Sequence, residues 1–170
     1  LHENDLLDAT TQVGDNANFG VADLRWKKVS NRLAWLNKLT KRLDQFGAKL
    51  YLEIKEPSFH DYLIESYPEI LDDTGKVNAL SHVWAQICRE KTEQIIKNVP
   101  LLGGLIVTLS SPEARVSLQD YIADTNKEVD FKAWLSALID AFHVPLSKVG
   151  KDLFVRDFAY TKHWQKEYEM

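Results

Sequence analysis

A single cysteine, Cys88, stands in 170 residues, so no disulfide can form within the chain and a multi-cysteine zinc site lacks its ligands. No run approaches the ~18–20 consecutive apolar residues of a membrane span, and no basic-then-apolar leader is present, so no membrane partner is expected. Positive charge is not in excess: 21 Lys and Arg face 25 Asp and Glu, a formal net charge of −4. That balance argues against a nucleic-acid partner, because phosphate binding needs clustered cations. Lys27-Lys28 and Lys41-Arg42 are short pairs that read as solvated helix surface. The 5 histidines show no HExxH or paired spacing, and no glycine-rich phosphate loop or nucleophile elbow occurs. No metal or cofactor is therefore expected. Low-complexity stretches and short repeats are missing too. Cys88 reads as a small apolar residue on a helix.

What is present suits one globular domain: 45% of the residues are hydrophobic, enough for a sizeable core at this length. Residues 1–28 are polar and weakly patterned, an irregular lead-in in which Asp23-Leu-Arg-Trp26 reads as a short strand or a docking segment. From Val29 the period is helical, with Leu33, Leu36, Leu39, Leu43 and Phe46 at spacings of three and four and Gly47 as the C-terminal stop. Leu50, Leu52 and Ile54 then alternate with Tyr51, Glu53 and Lys55, a strand pattern. Pro57-Ser58 opens a short helix with Tyr62, Leu63 and Tyr67 turned inward, and Asp72-Asp-Thr-Gly75 is a turn.

Ser81 is a plausible cap for a helix over 82–98 that buries Val83, Ile87, Ile95 and Ile96. Pro100 and Gly103-Gly104 lead into a second strand near 105–109. Residues 110–127 form a long polar loop, a length that usually signals function. Asp130 caps a helix over 131–142 with Trp134, Leu135, Leu138 and Ile139 on its apolar side, and a third strand covers about 153–158. Trp164 and Tyr168 close the chain in a short helix, and the 5 tryptophans read mainly as core.

Strand, helix, strand, helix, strand at this spacing predicts right-handed crossovers and a parallel sheet. A doubly wound sheet covers both strand faces with helices, yet here only one parity is apolar. Leu50, Leu52 and Ile54 oppose Tyr51, Glu53 and Lys55; Leu105 and Val107 oppose Ile106 and Thr108; Leu153 and Val155 oppose Phe154 and Arg156. A barrel accounts for this, with one face packed on helices and the other lining a lumen that holds polar side chains near its mouth. Glu53, Lys55 and Arg156 would then be lumenal and would have to pair. The competing reading is an exposed sheet face. Three or four parallel strands against the eight of a complete barrel predict a partial (β/α) TIM-type barrel, with its remainder or a second copy covering the sheet edge. The start at Leu1 instead of Met fits the expectation of a processed or excised chain, and the compartment stays open.

The segment Ile96-Lys-Asn-Val-Pro-Leu-Leu-Gly-Gly-Leu-Ile-Val-Thr-Leu-Ser-Ser-Pro-Glu113 is similar to the α-glucuronidase glycoside hydrolases, in which a helix ends in an IPDFGGFLVKANSEG-like run whose Glu is the catalytic acid. Gly150-Lys-Asp-Leu-Phe-Val-Arg-Asp-Phe-Ala-Tyr160 resembles that family's following strand, of the form WRAFVY. Tyr51-Leu-Glu-Ile-Lys-Glu-Pro57, followed by Tyr67-Pro-Glu-Ile70, resembles related glycosidase-like barrels with an NEP strand end and a YPEI helix end. The likeness spans roughly residues 30–160. It implies an inverting hydrolase acting on uronic-acid side groups of xylan, with Glu113 as the acid and the base carboxylates on later strands. Glu113 falls one position later than the family acid, after Pro112, and the glycines that follow that acid are replaced by Ala114 and Arg115.

Glycoside hydrolysis needs two carboxyl groups across the bond, ~5–5.5 Å apart for retention or ~6.5–9.5 Å for inversion. Glu56 and Glu113, both at strand carboxyl ends, are the candidate pair, Glu113 with a pKa raised by burial or by Glu56. Arg156 is a candidate for holding a sugar carboxylate bidentately, its alternative role being to neutralise Glu53. Lys55, Tyr160, His60 and Arg115 complete the candidate substrate contacts. Asp157 has the parity of a structural residue. Two other readings stay open: a non-catalytic carbohydrate-binding or structural domain that has lost the acid, and a stand-alone α/β domain that dimerises through an open sheet edge.

Overall fold

A computed structural model describes residues 2–5, 7, 10–11, 22–59, 61–108, 116 and 118–156; within these, residues 2–5, 22–26, 55–58, 61–62 and 118–120 are described by backbone alone. The chain runs β1 (His2–Asp5), α1 (Ala22–Asp44), β2 (Leu50–Ser58), α2 (Asp61–Ser66), a 3₁₀ turn (Pro68–Ile70), α3 (His82–Asn98), β3 (Leu102–Thr108), α4 (Leu118–Thr125), α5 (Phe131–Ser147) and β4 (Asp152–Arg156). All neighbouring strands are parallel, and the sheet order is β1-β2-β3-β4, the order of the chain itself. The fold is mixed α/β, a parallel sheet with flanking helices.

Alternation divides the sheet into two unlike faces. Leu52, Ile54, Leu105 and Val107 are at most 1% exposed and join one hydrophobic core with Leu36 of α1, Ile87 and Ile95 of α3, and Leu138 and Phe142 of α5. Fully burying side chains of this size contributes about 1.5–3 kcal/mol each, which is why helices close over this face. The opposite parity carries Tyr51, Glu53, Ile106, Phe154 and Arg156, all half-buried or exposed. Asn37 of α1 donates from Nδ2 to the Asn98 carbonyl at 2.8 Å, holding α1 against the end of α3.

Several elements differ from the sequence-based expectation. The lead-in is not wholly irregular: His2–Asp5 pairs with β2, and Asp23 to Trp26 belong to the first turns of α1. The α1 stripe buries Val29, Leu36 and Thr40 with Leu33 packed against the core as expected, while Phe46 lies beyond the helix end and is 77% exposed. Trp35 also faces outward, whereas Trp84 and Trp134 are core residues as expected. Pro57 and Ser58 extend β2, and α2 starts only at Asp61. The segment 110–127 contains α4, masked in the sequence by its polar residues. Helix α5 continues through Pro145 to Ser147, because burial of Pro145 and Leu146 outweighs one lost backbone hydrogen bond. The predicted closing helix around Trp164 and Tyr168 lies outside the described residues.

Gly47 and Asp130 cap as expected, whereas Ser81 takes the N-cap position of α3 without a side-chain hydrogen bond. Gly47 takes φ +68° after α1, and the Asp130 side chain accepts from the Ala133 amide at 3.1 Å. Cys88 is wholly buried on α3, and that burial pushes its thiol pKa up, leaving it inert.

The tightest constraint is at the amino end of β3. A β-carbon on Gly104 would lie 1.8 Å from the backbone carbonyl oxygen of Asp152, and one on Gly103 would lie 2.8 Å from the Tyr51 ring. Gly104→Ala must therefore push β3 and β4 apart. It should lower stability by about 3 kcal/mol or more in urea unfolding, whereas Gly47→Ala, with open space around it, should cost only about 1 kcal/mol for its left-handed backbone.

Candidate functional site

On the uncovered sheet face, register places Tyr51 beside Gly104 and Asp152, then Glu53 beside Ile106 and Phe154, then Thr108 beside Arg156. Gly104 has no side chain, so the Tyr51 hydroxyl reaches across it and donates to Asp152 Oδ2 at 2.7 Å. That hydrogen bond, with burial and the Asp152 charge, raises the Tyr51 pKa. The Phe154 ring meets Tyr51 edge-on at 5.2 Å between centroids. One row nearer the carboxyl end, Arg156 Nη1 donates to Glu53 Oε1 at 2.6 Å. The Glu53 side chain is 12% exposed and that of Arg156 41%, so the pair bridges the interior and the solvent edge. This is the neutralising role expected of Arg156.

Thr108 ends β3, a strand flanked on both sides, and shares this face. It is only 3% exposed, and its hydroxyl has no hydrogen-bond partner among the described residues. An orphaned buried hydroxyl carries a desolvation cost of about 1–3 kcal/mol. Thr108→Val, which keeps the shape and removes the hydroxyl, should leave the melting temperature unchanged or raise it; a clear drop would reveal a partner.

The connections leaving the carboxyl ends of β2 and β3 are clasped together. Asp72 Oδ1 accepts from the Thr74 amide at 2.8 Å and the Thr74 hydroxyl at 2.5 Å, shaping the turn. Its Oδ2 accepts from the Tyr121 hydroxyl of α4 at 2.6 Å and from Lys127 Nζ at 3.0 Å. Lys127 also pairs with Asp73, and Lys76 donates to Asp124 at 2.5 Å. Below this layer Tyr121 packs on Trp134 and Phe59 on Trp84, with centroids 5.1 and 5.5 Å apart. In the β1 connection, Leu7 is wholly buried at φ +53°, and its carbonyl accepts from the Thr10 amide and from the Thr10 and Thr11 hydroxyls.

Burial alone would raise the Asp72 pKa, but the hydrogen bonds from Thr74, Tyr121 and Lys127 outweigh it and hold the carboxyl well below its usual range. The hydrogen bonds that Lys127 donates to Asp73 and Asp72 raise its own pKa in turn. A depressed carboxyl contributes stability that is present above its unfolded pKa and lost as pH falls. Stability should therefore drop below about pH 4. Asp72→Asn should flatten that acid limb and cost about 1–2 kcal/mol at neutral pH, read by denaturant unfolding at a series of pH values.

The candidate residues divide as follows. Arg156 stands on the uncovered face paired with Glu53. Lys55 and Glu56 occupy the carboxyl half of β2, placed by backbone. His60, Glu113, Arg115, Asp157 and Tyr160 lie outside the described residues. Asp152, Thr108 and the Asp72 clasp were not singled out beforehand. Only the Asp-Asp-Thr-Gly turn hinted at the clasp, because its partners Tyr121 and Lys127 lay in a segment read as loop. Among the described residues, no group of three or more His, Cys, Asp or Glu could hold a metal ion. No protein-family model, curated protein or solved structure matches the chain.

Proposed function

We propose that this chain is part of a TIM-type (β/α) barrel of a carbohydrate-active, α-glucuronidase-like protein that hydrolyses O-glycosidic bonds in uronic-acid-bearing polysaccharide. The observation that carries this reading is the sheet: parallel strands in unbroken chain order, one face under helices and the other lined by Tyr51, Glu53, Phe154 and Arg156. Doubly wound sheets reverse their strand order, whereas a barrel adds each strand beside the last and collects its chemistry at the carboxyl ends. The remaining strands, or a second copy, would cover the sheet edges and supply further carboxylates.

In this reading Glu113 protonates the departing glycosidic oxygen, and Glu56 serves as a second carboxylate or a ligand for the sugar. The Arg156 guanidinium, held at the rim by Glu53, offers a planar fork to the substrate carboxylate. Lys55, His60, Arg115 and Tyr160 are the remaining sugar contacts. The chemistry is proton transfer between carboxyl groups and the glycosidic bond, with no cofactor required.

Turnover of glucuronoxylan and aryl glucuronides by the complete protein tests this directly. Glu113→Gln should lower kcat about 10²–10⁴-fold with little change in KM, the range expected for a lost general acid. Arg156→Ala should act on KM for the uronate-bearing substrate more than on a neutral xyloside. Sugar binding without turnover, indifferent to Glu113→Gln, would instead identify a binding module, and neither binding nor turnover would end the carbohydrate reading.

A further inference from the structure

The three turns that deliver the chain to β2, β3 and β4 share a makeup that the core does not explain. Each exposes one large apolar side chain: Phe46 at 77%, Leu101 at 45% and Val149 at 54%. Each is also flanked by exposed cations, Lys41, Arg42 and Lys49 around the first, Lys97 before the second and Lys148 before the third. Across residues 41–49, 97–101 and 147–152 there are six cations against the carboxylates Asp44 and Asp152, in a chain whose net charge is −4. Asp152 already accepts the Tyr51 hydroxyl.

These turns form one surface. The strands they enter are adjacent and parallel, so their amino ends lie side by side. Lys151 Nζ ties the third turn to the second, donating to the Pro100 carbonyl at 2.7 Å and the Leu102 carbonyl at 2.6 Å. The first turn reaches the same place: the Lys49 β-carbon lies 3.0 Å from where a Gly103 β-carbon would stand, and the Lys49 charge helps, after burial, to lower the Lys151 pKa. The helix macrodipoles rationalise cations at the ends of α1, α3 and α5. They offer no reason for an exposed phenylalanine, leucine and valine at the tips.

We propose that this amino-end pole docks on an anionic lipid surface, with Phe46, Leu101 and Val149 entering the interfacial layer and Lys41, Arg42, Lys49, Lys97 and Lys148 meeting lipid phosphates and carboxylates. Protein interfaces deplete lysine, whereas apolar tips within a lysine field are the composition that membrane interfaces take up. The aliphatic tips gain nothing from a polar glycan. That no helix is long and apolar enough to cross a membrane does not bear on surface association. The pole lies at the opposite strand ends from Arg156 and the Asp72 clasp, so the proposal stands apart from the carbohydrate reading.

Co-sedimentation of the full chain with vesicles of phosphatidylcholine plus phosphatidylserine, against vesicles of phosphatidylcholine alone, is the test. Binding should require the anionic lipid and weaken steeply with added salt. It should fall about fivefold for each of Lys97→Gln and Lys148→Gln. The triple variant Phe46→Ser, Leu101→Ser, Val149→Ser should abolish it while thermal unfolding stays at the wild-type temperature, since all three side chains are exposed. Protein that stays in the supernatant with both vesicles, or binding that ignores these substitutions, overturns the proposal, and in the first case an acidic protein segment becomes the occupant to seek.

Discussion

The close approach of β3 to both of its neighbours at Gly103 and Gly104 is the constraint on which the rest of the sheet depends. Any side chain at Gly104 would collide with backbone, which cannot step aside as a flexible side chain can. The bare row lets Tyr51 cross to Asp152, and that bond joins β2 to β4 over the strand between them. Register follows from it. With Gly104 opposite Asp152, Ile106 must face Phe154 and Thr108 must face Arg156. A slip by one residue would turn Val155 and Leu153 to the uncovered face and drive Phe154 and Arg156 under the helices. The glycine row and the Glu53–Arg156 pair therefore belong to one register.

The two ends of the strands are built from different physics. At the amino ends, short turns, a left-handed Gly47 and Lys151 capping two carbonyls make a stiff base. At the carboxyl ends the connections are long, and they are held by ionic and hydroxyl contacts around Asp72 instead of by strand pairing. Only part of that network is shielded: Asp72 is largely covered, whereas Lys127, Asp73 and Lys76 are open to water. Exposed ion pairs contribute little each, so the clasp holds through the shared acceptor at its centre.

How much was legible beforehand varies with the kind of signal. Wherever a glycine or an N-cap bounded a periodic run, the element and its faces could be read: Gly47, Ser81 and Asp130 each mark a boundary the structure keeps. Alternation in β2 and β3 disclosed the two unlike faces, because parity is a strictly local property. Two signals misled. Phe46 continued the leucine spacing of α1, but the helix had already ended at Asp44, and spacing alone cannot tell a core position from a turn. Helix α4 hid in a polar segment because its fixed points, Tyr121 on Trp134 and on Asp72, are tertiary contacts with no sequence signature. The same limit applies to the candidate site. Arg156 with Glu53 could be anticipated from charge and parity, whereas Thr108 became noticeable only once its burial and lack of a partner were known.

The rows of the uncovered face differ in how their polar groups are satisfied. Tyr51 and Asp152 satisfy each other, and Phe154 shields them. Glu53 and Arg156 satisfy each other across a diagonal, with the arginine reaching toward solvent. Thr108, at the carboxyl end, has a hydroxyl with no described acceptor or donor. Apolar burial on the helix side, by contrast, is uniform from Leu52 to Val107. The Thr108 hydroxyl is one of two buried side-chain groups without a hydrogen-bond partner among the described residues, the other being Trp84 Nε1 in the core, and each subtracts from a stability that is small to begin with.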